Sequence, residues 1–486
     1  MNKNIDLKQI FESISKECNV IGTNFVVAND QNILESYSYG MANLEDNIAS
    51  SEETIYRIAS ISKTVGAIGL MQLVEAGKID LDEDISTYLG YKVRNPYFPN
   101  DVITVRMITL QTSSIQDGYD DENPVYDDVI KGYNGVNGRN INVSLQDLLT
   151  NPECEYYTPL TYGKYHPGTR WCYSNFGCGI MACIIEKASG ETYVEYMENH
   201  VFKPLGIDAS FKGARIQKKE NIATMYSYRK SGLKNWSKEW FTNGGYTFYP
   251  LGDNFRGPAG GLFISMKDLS KIMRMFLNYG TVDGVKILDR KTVEEMYQMN
   301  WCGCPQDTYR AKGIQMKIQK ENGIIPVRGH TGSAYGVRSF MFFNLEHKIG
   351  ACFITNGINR PDADIIYKKL FKTLQTAFVE KYTETPETKV AEFKDNEIIL
   401  KERVIRDKDM YLLNKKFIKA MNLIDTLDII PTFKEDDYTL EFNYNGKDYF
   451  IDNTIYFQNN LYIPFEKTLD LLGINYRKED NLKIGF

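Results

Sequence analysis

At 486 residues the chain exceeds one ordinary domain and suggests two or three, and its 43% hydrophobic and 25% charged content is that of a soluble globular protein. The 57 basic and 63 acidic residues leave a net charge of −6, which argues against nucleic acid or an anionic membrane as partner, since neither attracts that charge. No run of about 18 apolar residues occurs, so no membrane span is expected; the opening MNKNIDLKQIFESISKECN lacks the apolar stretch of a signal peptide, and the sequence as given reads as cytoplasmic.

Ile5, Leu7, Ile10, Phe11 and Ile14 recur at helical spacing over 5–17. Segments 20–28 and 33–40 predict two strands joined by the turn Asn29-Asp30-Gln31-Asn32. From Thr64 to Ala76 an apolar stretch spaced by Gly and Ala predicts a buried helix, ended by Gly77. Residues 90–170 are rich in Asn, Gly, Asp and Pro and read as loops, with helices resuming at 176–189 and 192–202. The segment 325–356 reads as three strands separated by turns (PVRGH, GVRSFMFF, IGACFITN), followed by a helix over 363–381. Strands at both ends with helices between predict one sheet assembled from the two termini of a large domain, residues 1–382.

Residues 383–391 (TETPETKVA) read as a linker. The remaining 392–486 form a small, highly charged α+β domain with a faint repeat at an offset of 51. Met410-Tyr411-Leu412, Lys416, Ile418, Met421 and Leu423 recur as Leu461-Tyr462-Ile463, Lys467, Leu469, Leu472 and Ile474, as a strand running into a helix twice would produce. The eight cysteines show no regular framework; Cys302 and Cys304 form the one tight pair, with no His at ligand spacing, so reduced thiols and no metal site are expected.

The chemistry-bearing patterns are three. An activated serine needs a base in reach, and on a helix Ser at i and Lys at i+3 share a face. Ser13–Lys16, Ser60–Lys63, Ser227–Lys230 and Ser231–Lys234 all fit. Only Ser60 opens a long apolar helix, where desolvation would help Lys63 give up its proton; a plain helix N-cap is the competing reading. Tyr173-Ser174-Asn175 is the sole Tyr-x-Asn among 33 tyrosines: a phenol can carry the serine proton and an amide can hold a substrate carbonyl. A buried Tyr beside a turn Asn is its bland alternative. His330-Thr331-Gly332 lies on a strand ahead of Ser333, where Gly332 leaves room for substrate backbone and the strand offers a main-chain N–H to an oxyanion. A structural histidine is the alternative there, and Lys230-Ser231-Gly232 is set aside because it lies in a polar turn.

Together RIASISKTVGAIGLMQLVEAGKIDLDEDISTYL, PGTRWCYSNFGCGIMACIIEKASG, VFKPLGI, GPAGGLFISMKDLSKIMRMFLNYG and GHTGSAYGVRSFMFF resemble the β-lactamase-related serine hydrolases: class C β-lactamases, DD-peptidases, D-aminopeptidases and related esterases. The resemblance runs in order over residues 10–380. It implies an α/β fold, an antiparallel sheet flanked by helices with a helical subdomain, an active site between them, and a covalent acyl-enzyme without a cofactor. Carried over, Ser60 is the nucleophile, Lys63 its activating partner and Tyr173 the acid/base. Asn175, His330, Thr331, Gly332 and Ser333 are substrate-binding, with the N–H groups of Ser60 and Ser333 as oxyanion hole. In the tail, LYIPFEKTLDLLGINYRKEDNLKI resembles the stalk domain named after the copper amine oxidase N-terminal domain; copper is not implied, since no Cys or His follows residue 352. Such tails are often found on secreted proteins, which would require an earlier start of translation.

Two departures bear on substrate. His330 stands where class C β-lactamases have Lys, so a constant positive charge for a β-lactam carboxylate is missing. The usual His-Thr-Ser-Gly-Leu reads Gln111-Thr112-Ser113-Ser114-Ile115, which bears on local loop geometry. The expected function is a serine hydrolase of amides or peptides containing D-residues, with a carboxylesterase or β-lactamase on the same site, or a non-catalytic penicillin-binding or sensor protein, as alternatives. The expected partner is a small-molecule or peptide substrate, with docking or dimerisation left to the tail.

Overall fold

A computed structural model describes residues 6–118, 131–242, 249–297, 312–319 and 327–370, apart from 138, 140, 346, 360, 364 and 368. It also describes 390–394, 397–400, 403–406, 417–419, 432–434, 439–444, 446–451, 455–457, 460–473 and 475–477. Cys302, Cys304 and 383–389 of the expected linker lie outside the described residues. The chain divides into two compact units, one of 1–297, 314–316 and 327–382, the other of 298–313, 317–326 and 383–486.

The first unit is built on an antiparallel sheet to which both ends of the unit contribute. Its helix α1 (Leu7–Glu17) precedes strands β1 (Gly22–Asn29), β2 (Ile33–Asn43), β3 (Ile48–Ala49) and β4 (Ile55–Arg57). Then follow α2 (Ile61–Glu75), α3 (Asn175–Ser189), β5 (Phe263–Ser265) and α4 (Met266–Leu277). Strands β6 (Val327–Ala334), β7 (Val337–Asn344) and β8 (Ile349–Thr355) complete it. The spatial order β6-β7-β8-β1-β2-β3 makes β8 pair with β1, Val27 opposite Ala351, closing the sheet across more than 300 residues of sequence.

Alternation of side chains gives the sheet two apolar faces. On one, Phe25, Val27, Phe340, Phe342 and Phe353 join Phe11 and Ile14 of α1 and Ile366 and Leu370 in one buried cluster. Residues 361–363, 365–367 and 369–370 are helical, in line with the expected helix; its remainder, 371–381, lies outside the described residues. On the other face Met341, Phe343 and Cys352 meet α4, with Phe276 and Phe343 stacked at 5.3 Å and the Cys352 thiol 3.8 Å from Met273 Sδ. α2 is apolar all round and nearly every residue from Ile61 to Leu73 is buried, the signature of a helix inside the core. It begins at 61, three residues before the start of the apolar stretch at Thr64, because the chain leaves its extended course at Ala59, φ 52°, and Ser60 is already helical in backbone. That run is held by β5, with Ile55 opposite Ser265 and the Ile58 N–H on Leu262 O at 2.9 Å.

In the second unit 390–394, 397–400 and 403–406 form an antiparallel sheet, with 475–477 parallel to the first of them. Val390 and Ala391, placed by composition at the end of the linker, open a strand instead. The second copy of the expected repeat is a strand running into a helix, Asn460–Pro464 then Phe465–Leu472. The first copy does not follow it: Phe417–Lys419, which the offset of 51 maps onto helical positions 468–470, is a strand pairing with 462–464.

β6 and the run ahead of Ser60 cross at very short range. A Cβ on Gly332 would stand 2.4 Å from Ile58 O and 2.2 Å from Ser339 Oγ. Packing inside the protein therefore already requires glycine at 332. Gly332→Ala is expected to destabilise the full chain by about 1–3 kcal/mol, the usual cost of overpacking; a lowered midpoint in thermal or urea unfolding checks it, and an unchanged midpoint would contradict the crossing.

Candidate active site

Ser60 stands at the N-terminus of α2 and its side chain makes no capping hydrogen bond, so the N-cap reading does not account for the hydroxyl. The preceding Ala59 adopts φ 52°, a left-handed conformation costly for a residue with a Cβ. Ser62 Oγ secures this turn by donating to Ala59 O at 2.6 Å and accepting the Leu262 N–H at 3.1 Å. The Ser60 hydroxyl is thereby turned toward two other groups. Tyr173 Oη donates to its oxygen at 2.8 Å and Lys63 Nζ lies 3.3 Å away.

Lys63 is fully buried. Its amine donates to Asn175 Oδ1 and to Ala259 O, each at 2.8 Å, as well as to Ser60. Three acceptors match the three hydrogens of an ammonium. Nζ also lies 4.8 Å from the centre of the Tyr173 ring. One helical turn of α2 thus supplies hydroxyl and amine, and the start of α3 supplies phenol and amide. Ser174, between these last two, caps α3 by accepting the Gly177 N–H at 2.9 Å, which fixes Tyr173 just outside the helix and Asn175 just inside it.

The other three Ser-x-x-Lys matches bring no such grouping. Ser13 and Lys16 are exposed on α1, and Lys230 and Lys234 are exposed on the hairpin 225–236. In that hairpin Ser227 Oγ accepts from Trp236 Nε1 at 2.9 Å.

His330 is buried on β6 with its ring centre 6.3 Å from that of Tyr173. Its Nδ1 lies 2.6 Å from Thr331 O. A carbonyl only accepts, so Nδ1 carries the proton, and in the neutral ring Nε2 is an acceptor. Alternation puts His330 and Gly332 on the face toward α2, while Thr331 and the exposed Ser333 point to the opposite face. Arg338, directly across from Ser333, shares that outer face and donates to Ser333 Oγ.

One residue escaped the motif reading. Asp117 is buried behind Asn175, accepting from Asn175 Nδ2 at 2.7 Å, the Phe176 N–H at 2.8 Å and Ser174 Oγ at 3.2 Å. Burial pushes its carboxyl up, opposed by the Phe176 and Asn175 hydrogen bonds and the Lys63 charge. Only its position after the 111–115 stretch could have drawn notice. That stretch also has a clear role: Gln111, at φ 61°, accepts the Ser174 N–H on Oε1 at 3.0 Å and the Cys172 N–H on its carbonyl at 2.8 Å, docking the tyrosine loop. Ser114, where the related pattern has Gly, still takes φ 64°, and its Oγ accepts from Asn95 Nδ2 at 2.9 Å. The stretch keeps a left-handed turn despite its sequence.

Among the described residues no cluster of His, Cys, Asp and Glu fit to hold a metal occurs, and no helix is long and apolar enough to cross a membrane. The PbpX protein of Bacillus subtilis is 26% identical over 297 residues, 61% of this chain and 63% of that protein. Protein flp of Staphylococcus aureus is 23% identical over 219 residues, 44% of this chain and 40% of flp. The chain thus spans between two fifths and two thirds of the length of these curated relatives. Among solved structures, an octameric penicillin-binding protein homologue from Pyrococcus abyssi superposes with a TM-score of 0.59 at 20% identity, covering 94% of this chain and all of that one. D-amino acid amidase from Ochrobactrum anthropi, complexed with D-phenylalanine, gives 0.58 at 18% identity, covering 77% of this chain and all of the amidase. At these identities the likeness is one of fold. Residues 7–374, three quarters of the chain and every residue of the grouping around Ser60, match the Beta-lactamase family, and the chain belongs to it.

Proposed function

We propose that this protein is a serine hydrolase that works through an acyl-enzyme on amide or peptide substrates containing D-amino acids. The observation that carries the reading is the Ser60 hydroxyl held between a phenol at 2.8 Å and a buried amine at 3.3 Å. Ser60 Oγ attacks the carbonyl carbon while its proton passes to the Tyr173–Lys63 pair, which takes it in the form that has already given up one of its own protons. The N–H groups of Ser60 and Ser333 receive the oxyanion, the proton returns to the leaving amine, and water later cleaves the ester at Ser60 by the same route in reverse. Asn175 has one amide hydrogen on Asp117, and the second serves a substrate carbonyl.

His330 supports the substrate class. With Nδ1 protonated against Thr331 O, the neutral ring offers a carboxylate no second donor. A charge-assisted contact is worth about 1.5–3 kcal/mol, so its loss lowers affinity for a β-lactam carboxylate by roughly one to two powers of ten. Uncharged amides and esters lose nothing by it. The D-amino acid amidase among the structural neighbours agrees with this preference. Residues 1–382 form the hydrolase domain in this reading, and 392–486 a separate module for docking or dimerisation.

Ser60→Ala is expected to abolish covalent labelling by a fluorophosphonate, followed by mass spectrometry of the full chain; labelling that persists there and disappears in Ser13→Ala would overturn the assignment. Lys63→Ala and Tyr173→Phe should each slow turnover by roughly 10²–10⁴, the usual worth of a positioned proton carrier, read as kcat on a p-nitrophenyl ester. Measured side by side, kcat/KM for a D-alanyl amide or p-nitrophenyl ester should exceed that for nitrocefin, and His330→Lys should narrow the gap. Nitrocefin turned over fastest by the wild type would place the protein with the β-lactamases. Label that stays on Ser60 after a penicillin, with no turnover of any of these substrates, would make it a sensor.

A further inference from the structure

Asn175 has an amide whose two ends have nearly the same shape but opposite hydrogen-bonding character, so its orientation is set wholly by its neighbours. Its Oδ1 faces Lys63 Nζ at 2.8 Å and its Nδ2 faces Asp117 Oδ2 at 2.7 Å. An ionised carboxylate only accepts and an ammonium only donates, so the two neighbours demand the same orientation. Asp117 is in turn fixed from behind: its Oδ1 takes the Phe176 N–H at 2.8 Å and Ser174 Oγ at 3.2 Å, both from the start of α3. The side chain is 2% exposed, so water does not compete for these bonds. It also puts a negative charge one amide away from the buried amine, where an uncompensated cation would be costly.

We propose that Asp117 is a positioning residue for Ser60 chemistry: through Asn175 it aims an acceptor at Lys63 and so keeps the amine aligned on the serine hydroxyl. This rests on the reading of Ser60 as nucleophile. The groups facing Lys63 are Ser60 on α2, Tyr173 and Asn175 at the start of α3, Ala259 O, and at longer range Asp117 and Cys178. Burial pushes the Cys178 thiol up to about 11, so it stays neutral through the working range. Asp117 is the negative charge in this set.

Asp117→Asn creates a mismatch that no rotation repairs. If the new carbonyl keeps the Phe176 N–H, its NH2 faces Asn175, whose amide must turn and present NH2 to Lys63. If the carbonyl instead faces Asn175, its NH2 meets the Phe176 N–H. One donor-to-donor contact remains either way. In the double variant Asp117→Asn/Asn175→Asp, the new carboxylate faces Lys63 and accepts from the new amide, which keeps the Phe176 N–H. Every pairing among Lys63, residue 175, residue 117 and the Phe176 N–H is restored, as is the charge, while the amide hydrogen that Asn175 offers a substrate carbonyl is lost.

The test uses the full chain as wild type, Asp117→Asn and the double variant, with fluorophosphonate labelling of Ser60 and p-nitrophenyl acetate hydrolysis measured from pH 5 to 10, and a thermal melt for each. The single variant should label and turn over about 10–100-fold more slowly, the worth of a hydrogen bond to a charged group, with KM nearly unchanged. The acid limb of its kcat/KM profile should move to lower pH, because removing a buried negative charge disfavours a proton on the amine. The double variant should regain about tenfold in fluorophosphonate labelling, which needs no amide hydrogen from residue 175 on a substrate carbonyl. Wild-type labelling and an unmoved acid limb in Asp117→Asn would overturn the proposal. So would a well-folded double variant that labels no faster than the single one. Should Asp117→Asn fail to fold, the double variant decides, since the proposal requires it to fold and label. A wild type that does not label at Ser60 would bring down the nucleophile reading itself, and this inference with it.

Discussion

A lysine amine with no exposure to water governs the arrangement around Ser60. Buried cations are tolerated only when their hydrogens are matched and their charge is answered. Lys63 meets both conditions with parts from separate places in the chain: Ser60 one turn back on α2, Asn175 at the start of α3, the carbonyl of Ala259 in the loop before β5, and Asp117 behind the amide. Each acceptor is directional, so the demands of one ammonium bring four chain segments into register. The proposed catalytic geometry then comes with the solution to a burial problem.

The supporting fold can be understood as the means of holding those segments still. α2 is packed on every side, so it cannot roll and carry Ser60 away from Lys63. Close approach by a neighbouring helix is allowed by small residues on α2: a Cβ at Gly66 would stand 2.3 Å from Tyr193 Oη. Strand β4 is tied to β5, and the crossing at Gly332 presses β6 against Ile58 and Ala59. The left-handed turn at Ala59 is kept by these contacts, since its own backbone preference opposes it. His330 is delivered to the same place because it alternates with Gly332 along β6.

The substrate preference we propose follows from one exchange of side chain inside that frame. Lysine carries its charge over the whole range near neutrality, whereas a histidine whose Nδ1 is occupied by a carbonyl presents an acceptor when neutral. Arg338 does not replace the missing charge on the face of β6 that points to α2, because it stands opposite Ser333 and shares the outer face. A serine nucleophile with histidine rather than lysine at position 330 suits neutral acyl groups in this proposal.

Much of this was legible in the sequence where the signal is local. The periodicity of α1, α2 and α3, the three strands in 325–356 and the short motifs at 60–63, 173–175 and 330–332 each depend on neighbours within a turn or a strand, so the sequence alone determined them and the family resemblance. The apolar stretch around Lys63 marked that residue out from Lys16, Lys230 and Lys234 in the same way. Tertiary structure decided the rest, for a common reason: contacts between residues far apart leave no periodic trace. Asp117 looks like any loop aspartate until the fold places it behind Asn175. The packing demand on Gly332 shows only once β6 crosses Ile58. Gln111 and Ser114 show their purpose only with the tyrosine loop docked on them. The repeat in the tail rested on similar letters at a fixed offset, and strand pairing, which depends on the partner available, made 417–419 a strand where the second copy is helix.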